Sequence, residues 1–141
     1  MSYKRSYTKT YDNVTAKQVW AIWSDIDKRS TWDNDTEWAE ITGDFVTGNH
    51  FRFKPKGGPI LKMQIVERTS HQSFTDYFRM PFGHLYGIHT LKSEGNKLRI
   101  TTTIEIKGLL FWLWQKLLGE KIVATLPEQT ELLVQAARQV R

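Results

Sequence analysis

The feature that most constrains the fold is the C-terminal part of the chain, residues 108–140. Its apolar residues recur at three- and four-residue spacing, which is typical of one stripe on an α-helix. They are Phe111, Trp114, Leu118, Ile122, Leu126, Leu133, Ala137 and Val140. Charged residues such as Lys116 and Glu131 fall on the other side. No other segment is long enough for a helix of about seven turns or more, so this helix should organise the rest of the chain.

Short stretches in which apolar and polar residues alternate predict antiparallel strands before this helix. They are Tyr3–Asp12, Trp38–Phe45, Phe51–Lys54, Leu61–Ile65, Phe74–Arg79, Leu85–Lys92 and Leu98–Lys107. A two-residue turn at Gly95-Asn96 would pair Leu91 with Ile100 and His89 with Thr102, so that the apolar residues of both strands share one face. The pattern predicts an α+β fold in which the long helix covers one face of a curved antiparallel sheet.

Two short helices are expected between the first and second strands. Thr15 followed by Gln18 has the spacing of a capping box, which predicts a helix that continues to about Asp25. A second short helix is predicted within Asp27–Asn34, and it should end near Trp32. The whole chain, residues 1–141, is expected to form a single domain because its length is that of one ordinary domain.

Composition excludes several classes of protein. There are no cysteines, which excludes disulfides, zinc–thiolate sites and a cysteine nucleophile. The first six residues lack the apolar segment of a signal peptide. The most apolar run, Leu109–Trp114, is far shorter than the roughly 20 residues that span a bilayer. No zinc spacing, phosphate-binding glycine loop or dinucleotide fingerprint occurs. We therefore expect a soluble cytoplasmic protein with no metal and no cofactor.

Three groups of residues, spread over the whole chain, carry a resemblance to a known superfamily. They are Val19-Trp20 with Asp25 and Trp32, Gly43-Asp44-Phe45 with Gly48, Phe51 and Phe53, and Leu126-Pro127 with Leu132-Leu133. These groups resemble the polyketide cyclase/dehydratase and lipid-transport proteins of the START-like, Bet v 1-like (SRPBCC) superfamily. The resemblance implies a helix-grip fold, in which a strongly bent sheet wraps around the long helix and leaves a cavity. It implies no single reaction, because the superfamily includes both carriers and enzymes.

The face assignments then predict which side chains line that cavity. On the strands they are Phe51, Phe53, Leu61, Met63, Ile65, Phe74, Phe78, His89, Leu91, Ile100, Thr102 and Ile104, and on the helix Leu118, Ile122 and Leu126. The alternative is that these side chains simply fill the core.

Pro127 predicts a bend or loosened turn near residues 123–126, because proline removes one helical hydrogen bond.

Two titratable residues should point inward with these apolar side chains. Asp76 shares its strand face with Phe74, and His89 shares its own with Leu91. With Phe82-Gly83 at the centre of the turn, Asp76 lies directly opposite His89. With Pro81-Phe82 at the centre, the two are diagonal. In either register Asp76 would orient His89, so that the pair acts as a general acid or base or hydrogen-bonds a ligand hydroxyl or carbonyl. The alternatives are a purely structural pair or an Asp76 at a frayed strand end.

Three functions follow as hypotheses. The first is binding of a small hydrophobic molecule, such as a lipid, a polyketide-like compound or an isoprenoid. The second is a cyclase, dehydratase or hydrolase that acts on a hydrophobic carbonyl compound through the catalytic residues His89 and Asp76. The third is an interaction protein whose basic outer sheet face contacts RNA or an anionic membrane surface rather than DNA. That face would contain Lys54, Lys62, Lys92 and Arg99, and no aromatic residues interleave with these four cations.

The segment Leu109–Leu118 has more apolar residues than one helix stripe needs. The additional ones are Leu110, Trp112, Leu113 and Leu117. An entrance loop, a dimer partner, a membrane surface or packing under the loops after residues 25 and 83 would cover them.

Overall fold

A computed structural model describes residues 1–141 as one seven-stranded antiparallel sheet in the order β1-β7-β6-β5-β4-β3-β2. The strands are β1 (Ser2–Asp12), β2 (Thr36–Ile41), β3 (His50–Pro55), β4 (Leu61–Thr69), β5 (Ser73–Met80), β6 (Gly83–Glu94) and β7 (Lys97–Lys107). The helices are α1 (Ala16–Ser24), a 3₁₀ helix (Ile26–Thr31), α2 (Phe111–Trp114), a π-helical turn (Gln115–Gly119) and α3 (Glu120–Ala137). The predicted α+β helix-grip architecture is confirmed.

The two short helices connect the two edge strands, β1 and β2. The capping box is confirmed, since the backbone N–H of Gln18 donates to Thr15 Oγ1 at 3.2 Å and the Thr15 N–H donates to Gln18 Oε1 at 2.9 Å. The second helix is a 3₁₀ helix that ends beside Trp32, as predicted. Asp33 follows this end, and its side chain accepts hydrogen bonds from the Asp35 N–H and the Thr36 hydroxyl. These local bonds compete with continued helix.

Strand β2 is shorter than predicted and ends at Ile41 rather than at Phe45. Gly43 has a φ of +86°, which strand residues do not adopt. The Asn49 side chain then donates to the carbonyl oxygens of Thr42 and Asp44, at 3.1 and 2.8 Å, and holds the loop closed. Phe45 is still buried, because the loop returns its ring to the core.

The two hairpins position the inward-facing polar residues. The β6–β7 pairing is the predicted one, with His89 opposite Thr102. In the β5–β6 hairpin, Pro81 and Phe82 form the centre of the turn and Phe82 has a φ of +54°. Proline followed by a residue of positive φ is the pattern of a type II turn. Of the two predicted registers, the structure therefore has the one that leaves Asp76 diagonal to His89, with Gly87 opposite Asp76.

The C-terminal helix covers the concave face of the sheet from Phe111 to Ala137. Its α3 portion continues without interruption across Pro127, and the loosened turn lies at Gln115–Gly119 instead. The predicted location of that turn, residues 123–126, was therefore wrong. A side chain at Gly119 would place its Cβ only 2.8 Å from the Ile106 side chain on β7. The absence of a side chain at this position lets the helix approach the sheet closely.

Two groups of buried side chains form the core. The larger group joins α1 and the C-terminal end of α3 to the sheet, with Trp20, Trp23 and Leu133 among its members. The smaller group lies around Leu126 and Ile106 and packs under the start of the C-terminal helix. The cavity described below lies between the two groups. No helix of the structure is both long and apolar enough to cross a membrane.

Candidate functional site

A cavity with two connected lobes lies between α3 and the sheet. The α1 lobe has a volume of about 30 Å³ and is lined by Ile22, Trp23, Ile26, Trp32, Phe51, Phe74, Thr130 and Leu133. The α3 lobe has a volume of about 80 Å³ and is lined by Phe53, Leu61, Met63, Asp76, Leu85, Gly87, Ile104, Ile122, Thr125 and Leu126. Four polar residues line both lobes: Arg29, His89, Thr102 and Gln129. The cavity therefore has apolar walls and a polar junction.

The structure brings ten of the predicted lining residues to the cavity wall. They are Phe51, Phe53, Leu61, Met63, Phe74, His89, Thr102, Ile104, Ile122 and Leu126. Five others lie elsewhere: Ile65, Phe78, Leu91, Ile100 and Leu118. Ile65, Leu91 and Ile100 belong to the larger core group, while Phe78 and Leu118 pack against the smaller one. A side chain that faces inward on a strand is thus buried, but it does not always line the cavity.

Several polar lining residues were missed by the sequence analysis. Arg29 and Trp32 come from the 3₁₀ helix and the residue that follows it. Gln129, with Thr125 and Thr130, comes from α3. A signal for the α3 residues does exist in the sequence, because the apolar stripe has a polar gap between Leu126 and Leu133 where residues 129 and 130 share its spacing. No comparable periodic signal marks residues 29 and 32.

Arg29 is held at the junction of the lobes by Asp33. Its Nε donates to Asp33 Oδ2 at 3.1 Å, and its guanidinium lies 4.8 Å from the centre of the Phe53 ring. Asp33 is only 2% exposed and also accepts hydrogen bonds from Thr36 and, at 3.0 Å, from Gln129. Burial works against ionisation of Asp33, but the charge of Arg29 and these hydrogen bonds outweigh it and lower the pKa of the carboxyl. The two terminal nitrogens of Arg29 make no hydrogen bond within the protein.

Trp32 supplies a second unpaired donor in the α1 lobe. Its Nε1 is buried and has no hydrogen-bond partner in the protein. It is the only buried side-chain nitrogen or oxygen in this situation. Leaving such a donor unpaired typically costs about 1–3 kcal/mol, and most buried polar groups are paired for this reason. An acceptor atom in the α1 lobe would remove this penalty.

Asp76 and His89 meet in the α3 lobe. His89 Nε2 lies 3.8 Å from Asp76 Oδ2, which is close enough for electrostatic attraction but too long for a hydrogen bond. The imidazole stacks on Phe74, with ring centres 4.3 Å apart. A side chain at Gly87 would place its Cβ 2.4 Å from Asp76 Oδ1 and 3.2 Å from His89 Nε2. The missing side chain of Gly87 therefore leaves the space in which the carboxylate and the imidazole approach each other.

Searches with the sequence find no matching family profile and no matching curated protein. Solved structures are nevertheless similar over nearly the whole chain. A START superfamily protein from Mycobacterium smegmatis has a TM-score of 0.71 at 15% identity, over 94% of this chain and 97% of that one. The chain has the helix-grip fold of the START-like, Bet v 1-like superfamily. The predicted resemblance is thus confirmed at the level of the fold.

Two further similar structures illustrate the range of proteins with this START-like fold. Norcoclaurine synthase from Thalictrum flavum, solved in complex with dopamine and hydroxybenzaldehyde, has a TM-score of 0.71 at 13% identity and covers 99% of this chain and 86% of its own. Ara h 8.0201 has a TM-score of 0.67 at 9% identity and covers 98% of this chain and 96% of its own. At such identities the likeness concerns the fold alone.

The basic outer sheet face is less basic than its sequence suggested. Lys54 pairs with Glu37 across the β2–β3 edge, and Arg99 pairs with Glu94 at 2.9 Å. Of the four predicted cations, this leaves Lys62 and Lys92 without a carboxylate within ion-pair distance. The third functional hypothesis, binding of RNA or anionic lipid by that face, therefore loses two of its four charges.

Proposed function

We propose that this protein binds a small hydrophobic molecule that carries a hydrogen-bond-accepting oxygen, such as a carboxylate or a carbonyl group. The observation that supports the proposal is the junction of the cavity. The terminal nitrogens of Arg29 at the junction and the indole N–H of Trp32 in the adjoining α1 lobe have no hydrogen-bond partner within the protein, and the lobes around them have apolar walls. An oxygen of the ligand would accept hydrogen bonds from these donors.

The size of the cavity limits the ligand. A cavity of about 150 Å³ in another protein holds one benzene molecule. The lobes here measure about 30 and about 80 Å³. Even together the two lobes are smaller than that cavity, so a ligand with one aromatic ring already needs some widening of the space between α3 and the sheet, and the long lipids that the resemblance suggested fit less well. A longer ligand requires α3 to move away from the sheet.

The chemistry of the walls suggests an orientation for such a ligand. Its oxygen would lie at Arg29, where the fixed Asp33 carboxylate keeps the guanidinium in place. Its ring would lie in the α3 lobe, against Met63, Ile104 and Ile122. Hydroxybenzaldehyde, which norcoclaurine synthase binds in its solved complex, has a ring and a carbonyl of this kind. Aromatic aldehydes and carboxylates are therefore the first probes to use.

The test compares 4-hydroxybenzoate, its methyl ester and 4-hydroxybenzaldehyde by isothermal titration calorimetry. Arg29→Gln should weaken 4-hydroxybenzoate binding by about 10- to 150-fold, because a hydrogen bond to a charged group contributes about 1.5–3 kcal/mol. Binding of the ester should change much less. Arg79→Gln, on the outer face of β5, is the matched control and should leave all three affinities unchanged.

A second variant tests the position of the ring. Ile122→Trp should fill the α3 lobe and abolish binding of all three probes, while overpacking costs roughly 1–3 kcal/mol of stability. Circular dichroism checks that the variant is folded. If none of the probes binds the wild-type protein, and native mass spectrometry of the purified protein detects no small hydrophobic ligand, the proposal is wrong. Unchanged affinities in both variants would also contradict it.

A second candidate function is acid–base catalysis on a hydrophobic carbonyl compound, of the cyclase, dehydratase or hydrolase type. It is favoured by the Asp76–His89 pair, because neither side chain makes a hydrogen bond within the protein and both line the α3 lobe. His89 Nε2 would accept a proton from the carbon next to the ligand carbonyl as that C–H bond breaks. Asp76 would stabilise the resulting imidazolium.

Exchange of this proton for deuterium can be followed by NMR, with phenylacetaldehyde as the substrate in D₂O. Wild-type protein should accelerate the exchange above the buffer rate. His89→Gln should abolish the acceleration, and Asp76→Asn should reduce it. Exchange at the buffer rate in the presence of bound phenylacetaldehyde would exclude this second function without affecting the first.

A further inference from the structure

An exposed apolar surface lies at the start of the C-terminal helix. It consists of Phe82, Leu109, Trp112 and Leu117, which are 68%, 78%, 53% and 54% exposed. We call these four residues the apolar patch. Other exposed large apolar side chains, such as Ile60 and Val66, come from β4 and the loop before it. Single exposed apolar residues are normal, but four large ones from two adjoining segments are not.

The apolar patch is built on a fixed support. The Leu110 N–H donates to the Phe82 carbonyl oxygen at 3.0 Å, and Trp114 Nε1 donates to the Pro81 carbonyl oxygen at 2.8 Å. These bonds join the β5–β6 turn to the first helical residues. The side chains of Phe82, Leu109 and Trp112 are therefore presented together rather than on independent loops.

Cations outnumber carboxylates around the apolar patch. Residues 79–84 and 106–119 contain Arg79, Lys107 and Lys116, and the acidic residues Glu105 and Glu120 border the second range, with Glu105 3.8 Å from Lys107 Nζ. Lys116 is exposed one helical turn after Trp112 and is adjacent in sequence to Leu117. A surface in which large apolar side chains are accompanied by an excess of cations matches the interface of an anionic membrane.

A second copy of the chain fits the same surface poorly. In a two-fold symmetric dimer the patch would pack against itself, because such an interface uses the same surface on both subunits. The two sets of Arg79, Lys107 and Lys116 would then approach each other, and of these cations only Lys107 has a carboxylate, that of Glu105, within ion-pair distance. Phosphate groups of lipids would neutralise these cations instead, and tryptophan is enriched at the boundary between lipid headgroups and hydrocarbon.

We propose that the apolar patch and its cations dock the protein on an anionic phospholipid surface, with Trp112 and Leu117 inserted and Lys107 and Lys116 at the headgroups. This proposal does not depend on the cavity. Ile122→Trp, which closes the α3 lobe, should therefore leave membrane docking unchanged.

Vesicle co-sedimentation tests the proposal with the full chain at low salt. Vesicles of phosphatidylcholine with phosphatidylglycerol should bind the protein, and pure phosphatidylcholine vesicles should bind it much less. Trp112→Ser combined with Leu117→Ser should lower binding at least tenfold. Lys107→Gln combined with Lys116→Gln should lower it about 30-fold, because each basic residue near an anionic surface contributes about fivefold.

Two controls make the outcomes decisive. Ile60→Ser combined with Val66→Ser removes exposed apolar side chains elsewhere and should leave binding unchanged. Circular dichroism checks the fold of every variant. If the wild-type protein fails to sediment with anionic vesicles, or if the apolar-patch and lysine variants bind as well as wild type, the proposal is wrong. A wild-type dimer in sedimentation equilibrium that Trp112→Ser converts to a monomer would also overturn it, since a second copy would then occupy the patch.

Discussion

The ion pair between Arg29 and Asp33 should stabilise the protein far more than an ordinary surface pair. Asp33 is buried, with 2% of its side chain exposed, whereas 21% of the Arg29 side chain is exposed. A double-mutant cycle with Arg29→Gln, Asp33→Asn and the double variant isolates the interaction between them. Each free energy of unfolding can be measured by urea denaturation at pH 7.

The expected magnitude lies between two known limits. Exposed ion pairs contribute about 0.2–1 kcal/mol, and removing one partner of a fully buried pair costs about 3–5 kcal/mol. Arg29 is partly exposed, and Asp33 keeps hydrogen bonds from Thr36, Gln129 and the Asp35 N–H when Arg29 is replaced. We therefore expect Arg29→Gln to cost about 2–3 kcal/mol, with a coupling energy of about 1.5–2.5 kcal/mol.

The pH dependence of stability gives an independent check. The pKa of Asp33 is lower in the folded protein than its ordinary value of 3.8. Its contribution to stability is therefore fully present above that value and is lost as the pH falls through the lower, folded pKa. In Arg29→Gln the burial of the carboxyl is less well compensated, so its folded pKa rises towards the ordinary value and the stability lost on acidification becomes smaller. Asp33→Asn should abolish this part of the pH dependence.

The contrary results are equally specific. A coupling energy below about 0.5 kcal/mol would mean that the pair behaves like a surface pair. The same acid-unfolding curve for wild type and Arg29→Gln would mean that Arg29 does not set the pKa of Asp33. Either result would remove the argument that Asp33 fixes the guanidinium at the cavity junction.

Three further substitutions test particular close contacts, each by urea denaturation. Gly119→Ala should destabilise by about 1 kcal/mol, because overpacking against Ile106 exceeds the gain in helix propensity; a more stable variant would refute the close approach. Gly87→Ala should cost about 1–3 kcal/mol of stability, because the new methyl group displaces the Asp76 carboxylate. Adding Asp76→Ala to that variant should recover part of the lost stability. If it does not, the strain comes from a contact other than that with Asp76. Thr15→Ala should cost about 1 kcal/mol through loss of the N-cap, and an unchanged urea midpoint would contradict the capping box.

Where local chemistry determines structure, the sequence was sufficient to predict it. The alternation of the strands, the Gly95-Asn96 turn and the capping box at Thr15 each depend on neighbouring residues, and each is found as predicted. The β5–β6 register was predicted only as two alternatives. The observed register is accompanied by contacts between the turn and a distant segment. The Leu110 N–H and Trp114 Nε1 donate hydrogen bonds to the carbonyl groups of the turn.

The polar junction of the cavity could not be predicted in the same way. Arg29 reads in the sequence as an ordinary charged residue of a short helix. Its position in the cavity depends on the 3₁₀ geometry of residues 26–31 and on Asp33, whose Gln129 partner is 96 residues away. The lining residues of α3 could have been predicted from the sequence, because Gln129 continues the three- and four-residue spacing of the apolar stripe.

The separation of the core into two groups explains why this fold can maintain a cavity at all. A continuous apolar core would collapse onto itself, since buried voids lose packing interactions. Here Arg29 and His89 lie between the groups, and closing the space would desolvate them further without supplying partners. A ligand with an apolar body and an acceptor oxygen would supply both kinds of contact. Its binding should therefore raise the free energy of unfolding, by about 2.7 kcal/mol at a free concentration 100 times its Kd. If a thermal-shift titration with 4-hydroxybenzoate shows no stabilisation, the polar side chains of the junction already have hydrogen-bond partners.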